Sequence, residues 1–400
     1  MQTAEIQRWL AARREQGLYR QEQQVQTLPG GLLSCNGELF VNFSGNDYLG
    51  LAETLPLRQA MADAALADGV ASTGSPLISG YQPAHAELSA TLRDWLGVED
   101  VLLFSSGFAA NQAMLSALQG PQDLLLLDKY CHASMQDLLT SGQRQFKRYP
   151  HQDLATLARI LQQSDTKNQP VVVATEGVFS MDGDITDCAA LLRLLSPAQP
   201  LLLDDAHGIG VLGAEGRGSW AAHGVHVSAL QCLMANFGKA LAGQGGFLAG
   251  SRDVIDFIRQ QSRHYIYSTA LSPALCRAMQ TSVLLCRTEQ WRRDQLADNI
   301  GLFCQLAKQA GLAISDSITA IQPVLCLDNA SAMGWSAALK QAGIWLHAIR
   351  PPTVPQARLR ISLSASHSEL QIRQLVRALV QTQPTTAQHR TTTIPENCRE

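Results

Sequence analysis

A lysine, an aspartate and a histidine define the chemistry open to this chain. Lys239 ends the run Ala-Asn-Phe-Gly-Lys, and the segment PLLLDDAHG puts Asp204 thirty-five positions upstream and His207 three beyond that acid. Such a set suits an aldehyde cofactor: the amine can hold it as an imine, the carboxylate can keep a ring nitrogen protonated, and the imidazole can bond a phenol oxygen. Pyridoxal phosphate is the cofactor with those three groups.

Each residue alone has a plainer reading. Lysines beside glycines are usually surface residues, but ALQCLMANFGKALAGQGGFLAG sets Lys239 directly after one apolar strand and before a glycine-rich turn into another. Partial burial follows, and burial favours the neutral amine. Asp204 and Asp205 could simply open a polar turn; the alternative is that Asp204 makes a charge-assisted bond to a pyridinium nitrogen. Gly208, Gly210 and Gly213 match the spacing of a dinucleotide fingerprint. Here they follow acids, and AEGRGSW breaks the helix that should come next, so a nicotinamide or flavin oxidoreductase ranks below the pyridoxal reading.

Three further strand ends carry polar residues. In SSGFAANQAML, Ser105 and Ser106 can cap a helix while Gly107 admits a close backbone approach, either as an ordinary strand-to-helix turn or as a phosphate site at a helix N-terminus. LDKYCHAS places His132 just past a strand, as a capping residue or as a flat ring stacked on a cofactor; Cys131 beside it is expected to pack. TEGVFSMDGDITD has acids at Glu176, Asp182 and Asp184 without the full calcium-loop pattern, so a turn with solvated acids is expected and no metal. Ser180 is its cofactor candidate.

The elements that hold these residues are legible as short apolar runs at 101–104, 124–128, 171–175, 200–205 and 229–235, separated by helix-period stretches such as Leu154, Leu157, Ile160 and Leu161. Unbroken apolar strands imply a sheet buried on both faces and mostly parallel, hence an α/β class. The N-terminal MQTAEIQRWLAARREQ reads as an amphipathic helix rather than a signal peptide or a membrane span. At the other end, Ser366 and Glu369 are expected to form a capping box for a helix with the stripe Ile372, Leu375, Val376, Leu379 and Val380; a polar tail follows.

With 400 residues and 46% apolar content, the chain can build a large core. A formal net charge of −3 without basic blocks gives no electrostatic reason for a nucleic-acid or membrane partner. The nine scattered cysteines form no CxxC pair, which fits reduced thiols and a cytoplasmic location rather than disulfides or zinc.

The segments SGNDYLG (44–50), SSGFAAN (105–111), EGVFSMDGD (176–184), LDDAHGIGVLG (203–213), NFGK (236–239), HYIYSTALSP (264–273), AIRPPTVP (348–355) and RLRISLSASH (358–367) together resemble the α-oxoamine synthases, from about Arg20 to Val380. These are pyridoxal-phosphate transferases of fold type I. The resemblance implies a large domain with a mostly parallel seven-stranded sheet flanked by helices, and a smaller α+β C-terminal domain. The expected division is residues 1–50 as an N-terminal helix and segment, 51–285 as the cofactor domain, 286–382 as the small domain and 383–400 as a flexible tail. AIRPPTVP with SGNDYLG implies the branch that condenses L-alanine with a pimeloyl thioester, of coenzyme A or an acyl carrier protein, in biotin biosynthesis. A sister synthase using glycine or serine is the alternative, and a non-catalytic binding protein on the same fold is a weaker one.

Carried over by residue, the resemblance implies that Lys239 forms the imine, Asp204 meets the ring nitrogen, His207 and Ser180 contact the ring oxygen and His132 stacks on the ring and meets the substrate. Gly107, Phe108 and Asn236 would serve the phosphate side, with Ser268 and Thr269 reaching it from the second subunit of a homodimer. Asn46 and Arg360 would hold the amino-acid carboxylate; Arg20, Arg350 and Thr353 would line the acyl side. Asn236 stands where the family usually has threonine, Pro76 where arginine is common, and the loop from Pro355 to Arg358 is short.

Overall fold

The computed structural model describes residues 2–137 and 144–384. Its largest sheet has seven strands: β1 (Asp100–Phe104), β2 (Leu124–Asp128), β3 (Phe146–Tyr149), β4 (Val171–Glu176), β5 (Leu201–Asp204), β6 (Cys232–Asn236) and β7 (Gly246–Gly250). Their spatial order is β1-β7-β6-β5-β4-β2-β3, with β7 antiparallel to both neighbours and the remaining pairs parallel. The expected α/β fold with a mostly parallel seven-stranded sheet is the one found.

Alternation along the strands explains their all-apolar sequences. Leu125, Leu127, Val172, Ala174, Leu202, Cys232 and Met234 enter one core, whereas Leu126, Val171, Val173, Leu201, Leu203, Leu233 and Ala235 enter another on the opposite face. Both faces are therefore covered, and polar residues can enter only where strands end. Strand β3, FKRY, escaped the sequence reading because it lies at the sheet edge with three of its four residues exposed.

Among the described residues there are two smaller sheets. Gln26–Leu28, Leu32–Cys35 and Glu38–Asn42 form an antiparallel meander, which Ile344–Trp345 joins in parallel through Glu38–Asn42. Ile321–Leu325, Arg358–Ser362 and Ala348–Ile349 form the other, with helices Gln290–Gln309 and Glu369–Thr382 packed together beside it.

The last helix corrects its expected cap. Ser368 and Gln371, not Ser366 and Glu369, make the capping box. A turn delays the helix: the Ser364 amide donates to His367 Nδ1 at 3.0 Å, and Ser366 lies against Gly50, where an added Cβ would meet its hydroxyl at 2.0 Å. Ile372, Leu375, Val376 and Leu379 are buried as the stripe requires, but Val380 is exposed. The expected tail continues into residues 385–400, outside the described residues. The N-terminal helix Thr3–Glu15 forms without burying a residue. Among the described residues no helix is long and apolar enough to cross a membrane, and the cysteines are free thiols.

Candidate active site

The parallel strands deliver their last residues to one edge of the sheet, the usual place for ligands in open α/β folds. Glu176 closes β4, Asp204 closes β5, Asn236 closes β6 and Lys239 follows three residues later. Beyond β1, Ser106 Oγ accepts from the Ala109 amide at 3.1 Å and starts the helix Gly107–Leu118. All of these strand and helix ends border a cavity of about 100 Å³ that Gly107, Phe108, His132, Asp204, His207, Asn236 and Lys239 line.

Asp204 is buried, and its two oxygens are each held by one donor. Asn111 Nδ2 donates to Oδ2 at 2.6 Å and the Ala206 amide to Oδ1 at 2.9 Å. The remaining lone pairs are free for a further N–H. Burial pushes the Lys239 amine below its usual range, against the attraction of Asp204 and Glu176. Burial also drives His207 well below its ordinary value, helped by the positive charges of Lys239 and Arg360, so the imidazole is neutral. Its Nδ1 lies 2.8 Å from the Tyr48 hydroxyl. Glu176 is raised well above the carboxylate range, first by burial and then by Asp204.

His132 caps a helix and also lines the cavity. Its Nδ1 caps the short helix Ala133–Gln136 through the Ser134 amide at 3.2 Å, while its ring lines the cavity edge-on to Phe108. His132 also lines a second cavity of about 840 Å³, whose walls include Tyr130, Phe179, Ser180, Met181 and the segment Pro351–Pro355. Ser180 thus borders the larger space and not the smaller one; its carbonyl accepts from Arg360 Nε at 2.5 Å. Asn46 and Arg360 are brought together, with both terminal guanidinium nitrogens donating to Asn46 Oδ1 at 3.3 Å. Arg20, Arg350 and Thr353 share a third cavity of about 550 Å³ with the N-terminal helix. Ser268 and Thr269, just after helix Arg263–Ile266, line none of these three spaces in their own chain.

In the loop after β4 the acids are about a third exposed but also paired, and only Glu176, the last residue of the strand, is buried. Asp184 Oδ2 meets His151 Nε2 at 2.6 Å, Asp182 pairs with Arg358, and Glu176 is 2% exposed. The strand Arg358–Ser362 packs over this loop and supplies its counter-charges. The glycines of GIGVLG also lose their dinucleotide reading. Gly208 packs against Asp205, where a Cβ would lie 2.1 Å from Oδ1, and β5 runs into turns instead of a helix.

Sequence reasoning missed Tyr48, Asn111 and Ser134. Asn111 had a signal: four residues after Gly107 on the same helix, it must face the sheet as Gly107 does. Tyr48 gave none, since nothing in the polar turn SGNDYLG marks the hydroxyl of its tyrosine as buried.

The residues present fit pyridoxal phosphate. Bordering one cavity are an anion-seeking helix N-terminus and a buried carboxylate with spare lone pairs, with a desolvated amine just past β6, the strand that lies between β1 and β5 in the sheet. Asn236 Oδ1 and Glu176 Oε1 are buried there without a protein partner. Gly107 permits the close approach, since a Cβ on it would meet Asn236 at 3.2 Å.

Comparison with known proteins agrees. The family model for aminotransferase class I and II matches residues 39–379. A high-resolution structure of SPT with a PLP internal aldimine superposes with a TM-score of 0.90 at 25% identity, covering 96% of this chain and 98% of that one. Fold and site together define a fold type I pyridoxal-phosphate enzyme. The 8-amino-7-oxononanoate synthase of Aeromonas salmonicida is 43% identical over 373 residues, 92% of each chain. The crystal structure of the 8-amino-7-oxononanoate synthase of Francisella tularensis has a TM-score of 0.75 at 28% identity, covering 86% of this chain and 97% of that one. The chain belongs to the 8-amino-7-oxononanoate synthase family within the class I and II aminotransferases.

Proposed function

We propose that the protein condenses L-alanine with a pimeloyl thioester to give 8-amino-7-oxononanoate, carbon dioxide and the free thiol. The observation that carries this reading is the convergence of Lys239, Asp204 and His207 on one cavity in a chain 43% identical to a synthase named for that product. Bound pyridoxal phosphate supplies an aldehyde to carry the amino acid and a ring that takes up electrons from its Cα.

The chain's residues do the rest. Asp204 accepts from the protonated ring nitrogen with the lone pairs that Asn111 and Ala206 leave open. Lys239 Nζ holds the cofactor, is released by alanine, then takes the Cα proton and later returns one; its desolvated amine suits that work near neutral pH. His132 covers the ring and His207 bonds its oxygen substituent, with Ser180 reaching that oxygen from the larger cavity that His132 also lines. Gly107, Phe108 and Asn236 hold the phosphate, joined by Ser268 and Thr269 from the second protomer of a cytoplasmic homodimer. Arg360 and Asn46 take the alanine carboxylate by a guanidinium fork. Arg20, Arg350 and Thr353 receive the acyl chain, so the pimeloyl group is assigned to the 550 Å³ cavity. The division into residues 1–50, 51–285 and 286–382 is part of the same reading.

Carbon dioxide release tests it, measured with alanine, glycine and serine against pimeloyl-coenzyme A and a pimeloyl carrier protein. Release that requires alanine and a pimeloyl thioester supports the proposal. Preference for glycine or serine moves the protein to a sister reaction, and no release with any pair contradicts it.

A further inference from the structure

Tyr48 is 1% exposed, yet its hydroxyl is the meeting point of both halves of the site. It lies 2.8 Å from His207 Nδ1, 3.1 Å from Asn46 Oδ1 and 3.4 Å from Arg360 Nη2. A phenol has one proton to give and two lone pairs to receive with. Arg360 can only donate, so the proton of Tyr48 goes either to Asn46 or to His207. Asn46 Oδ1 already accepts from both terminal guanidinium nitrogens, an arrangement that also fixes which end of the amide is oxygen. The imidazole nitrogen is the nearer acceptor and the more basic one.

We propose that Tyr48 donates to His207 Nδ1 and thereby holds the imidazole as the tautomer protonated on Nε2, with that N–H turned to the cavity. A neutral imidazole carries a single N–H, so the partner of one nitrogen decides what the other can do. Held this way, His207 is a donor to an oxygen in the cavity. Released, it could equally present a lone pair, which would repel an anionic oxygen. Tyr48 is thus a positioning residue: it acts through His207 and ties that donor to the Asn46–Arg360 pair. The inference rests on His207 facing the cofactor oxygen.

Full-length wild type and Tyr48→Phe, labelled with ¹⁵N-histidine, test it, with His207→Asn used to assign the signals. Wild type is expected to show His207 protonated on Nε2 and unprotonated on Nδ1, with or without pyridoxal phosphate. Tyr48→Phe is expected to shift that balance and to move the pH midpoint of the bound cofactor's visible absorption. The same variant should lower kcat about tenfold, the scale of one lost hydrogen bond, with KM for alanine changed less than about twofold. A wild-type His207 protonated on Nδ1 overturns the proposal, as does a folded Tyr48→Phe protein with unchanged ¹⁵N signals and absorption midpoint. Should Tyr48→Phe fail to fold, the wild-type signals alone decide. A wild type that never binds pyridoxal phosphate would instead refute the functional reading, while the tautomer is still read on the cofactor-free protein.

Discussion

The side-chain amide of Asn111 donates to Asp204 Oδ2 at 2.6 Å, joining the helix that begins at Gly107 to the end of β5. This bond turns the carboxylate and fills one lone pair, so the orientation of the acid depends on the helix whose N-terminus borders the same cavity. Asn111→Ala removes a hydrogen bond to a charged group, worth about 1.5–3 kcal/mol. A fall in kcat of roughly tenfold to a hundredfold is expected, with a shifted cofactor absorption band and a folded protein by circular dichroism. Unchanged turnover would show that Asp204 needs no such support.

Arg360 forks toward Asn46, Ser180 and Ser362. Lysine keeps the charge but has no planar fork. Arg360→Lys is expected to raise KM for alanine at least about tenfold and to change KM for the pimeloyl thioester far less. Equal effects on both substrates would displace Arg360 from the carboxylate site.

How far the sequence reaches depends on what a residue's surroundings are made of. Of the residues assigned to the cofactor, Gly107, Asp204, His207, Asn236 and Lys239 were legible because each lies at or within three residues of the end of an apolar strand, and alternation between two cores leaves polar side chains little place except near strand ends. Asp204, Lys239 and Gly107 stand out through that constraint taken together with their flanking motifs. Tyr48 and the paired acids of the loop after β4 do not, since their partners come from residues far along the chain: His207 for Tyr48, Arg358 for Asp182, and His151 for Asp184. The cap of the last helix was misplaced for a related reason, because His367 closes a turn that no local propensity announces.

His151 bridges Asp128 at 2.9 Å and Asp184 at 2.6 Å, clamping β2 to the loop after β4. Burial opposes its charge, but hydrogen bonds to the two carboxylates prevail and raise it to about 10 from 6.5. A base raised in the folded state stabilises fully below its unfolded value, and that stabilisation is lost as pH climbs through the folded value. His151→Asn is therefore expected to lower the melting temperature clearly at pH 6 and much less near pH 10.5. A pH-independent difference would mean that the clamp does not depend on charge.

His367 has the opposite sign. It is buried against Phe43, with Nε2 bonded to the Asn42 carbonyl at 2.9 Å, and burial lowers it to about 4 from 6.5. The neutral ring's contribution is present above pH 6.5 and drains away as pH falls toward 4, because the unfolded chain takes up the proton first. Urea unfolding from pH 7 to pH 4 should show a steeper loss for wild type than for His367→Gln. Parallel curves would contradict the assignment.

The account turns on Lys239 as the residue that carries the cofactor. Borohydride reduction of the purified holoenzyme, followed by peptide mass spectrometry, reads that attachment directly. A pyridoxyl-phosphate adduct on the peptide containing Lys239, absent from Lys239→Ala, is the expected result; an adduct on another lysine, or none, would contradict the account.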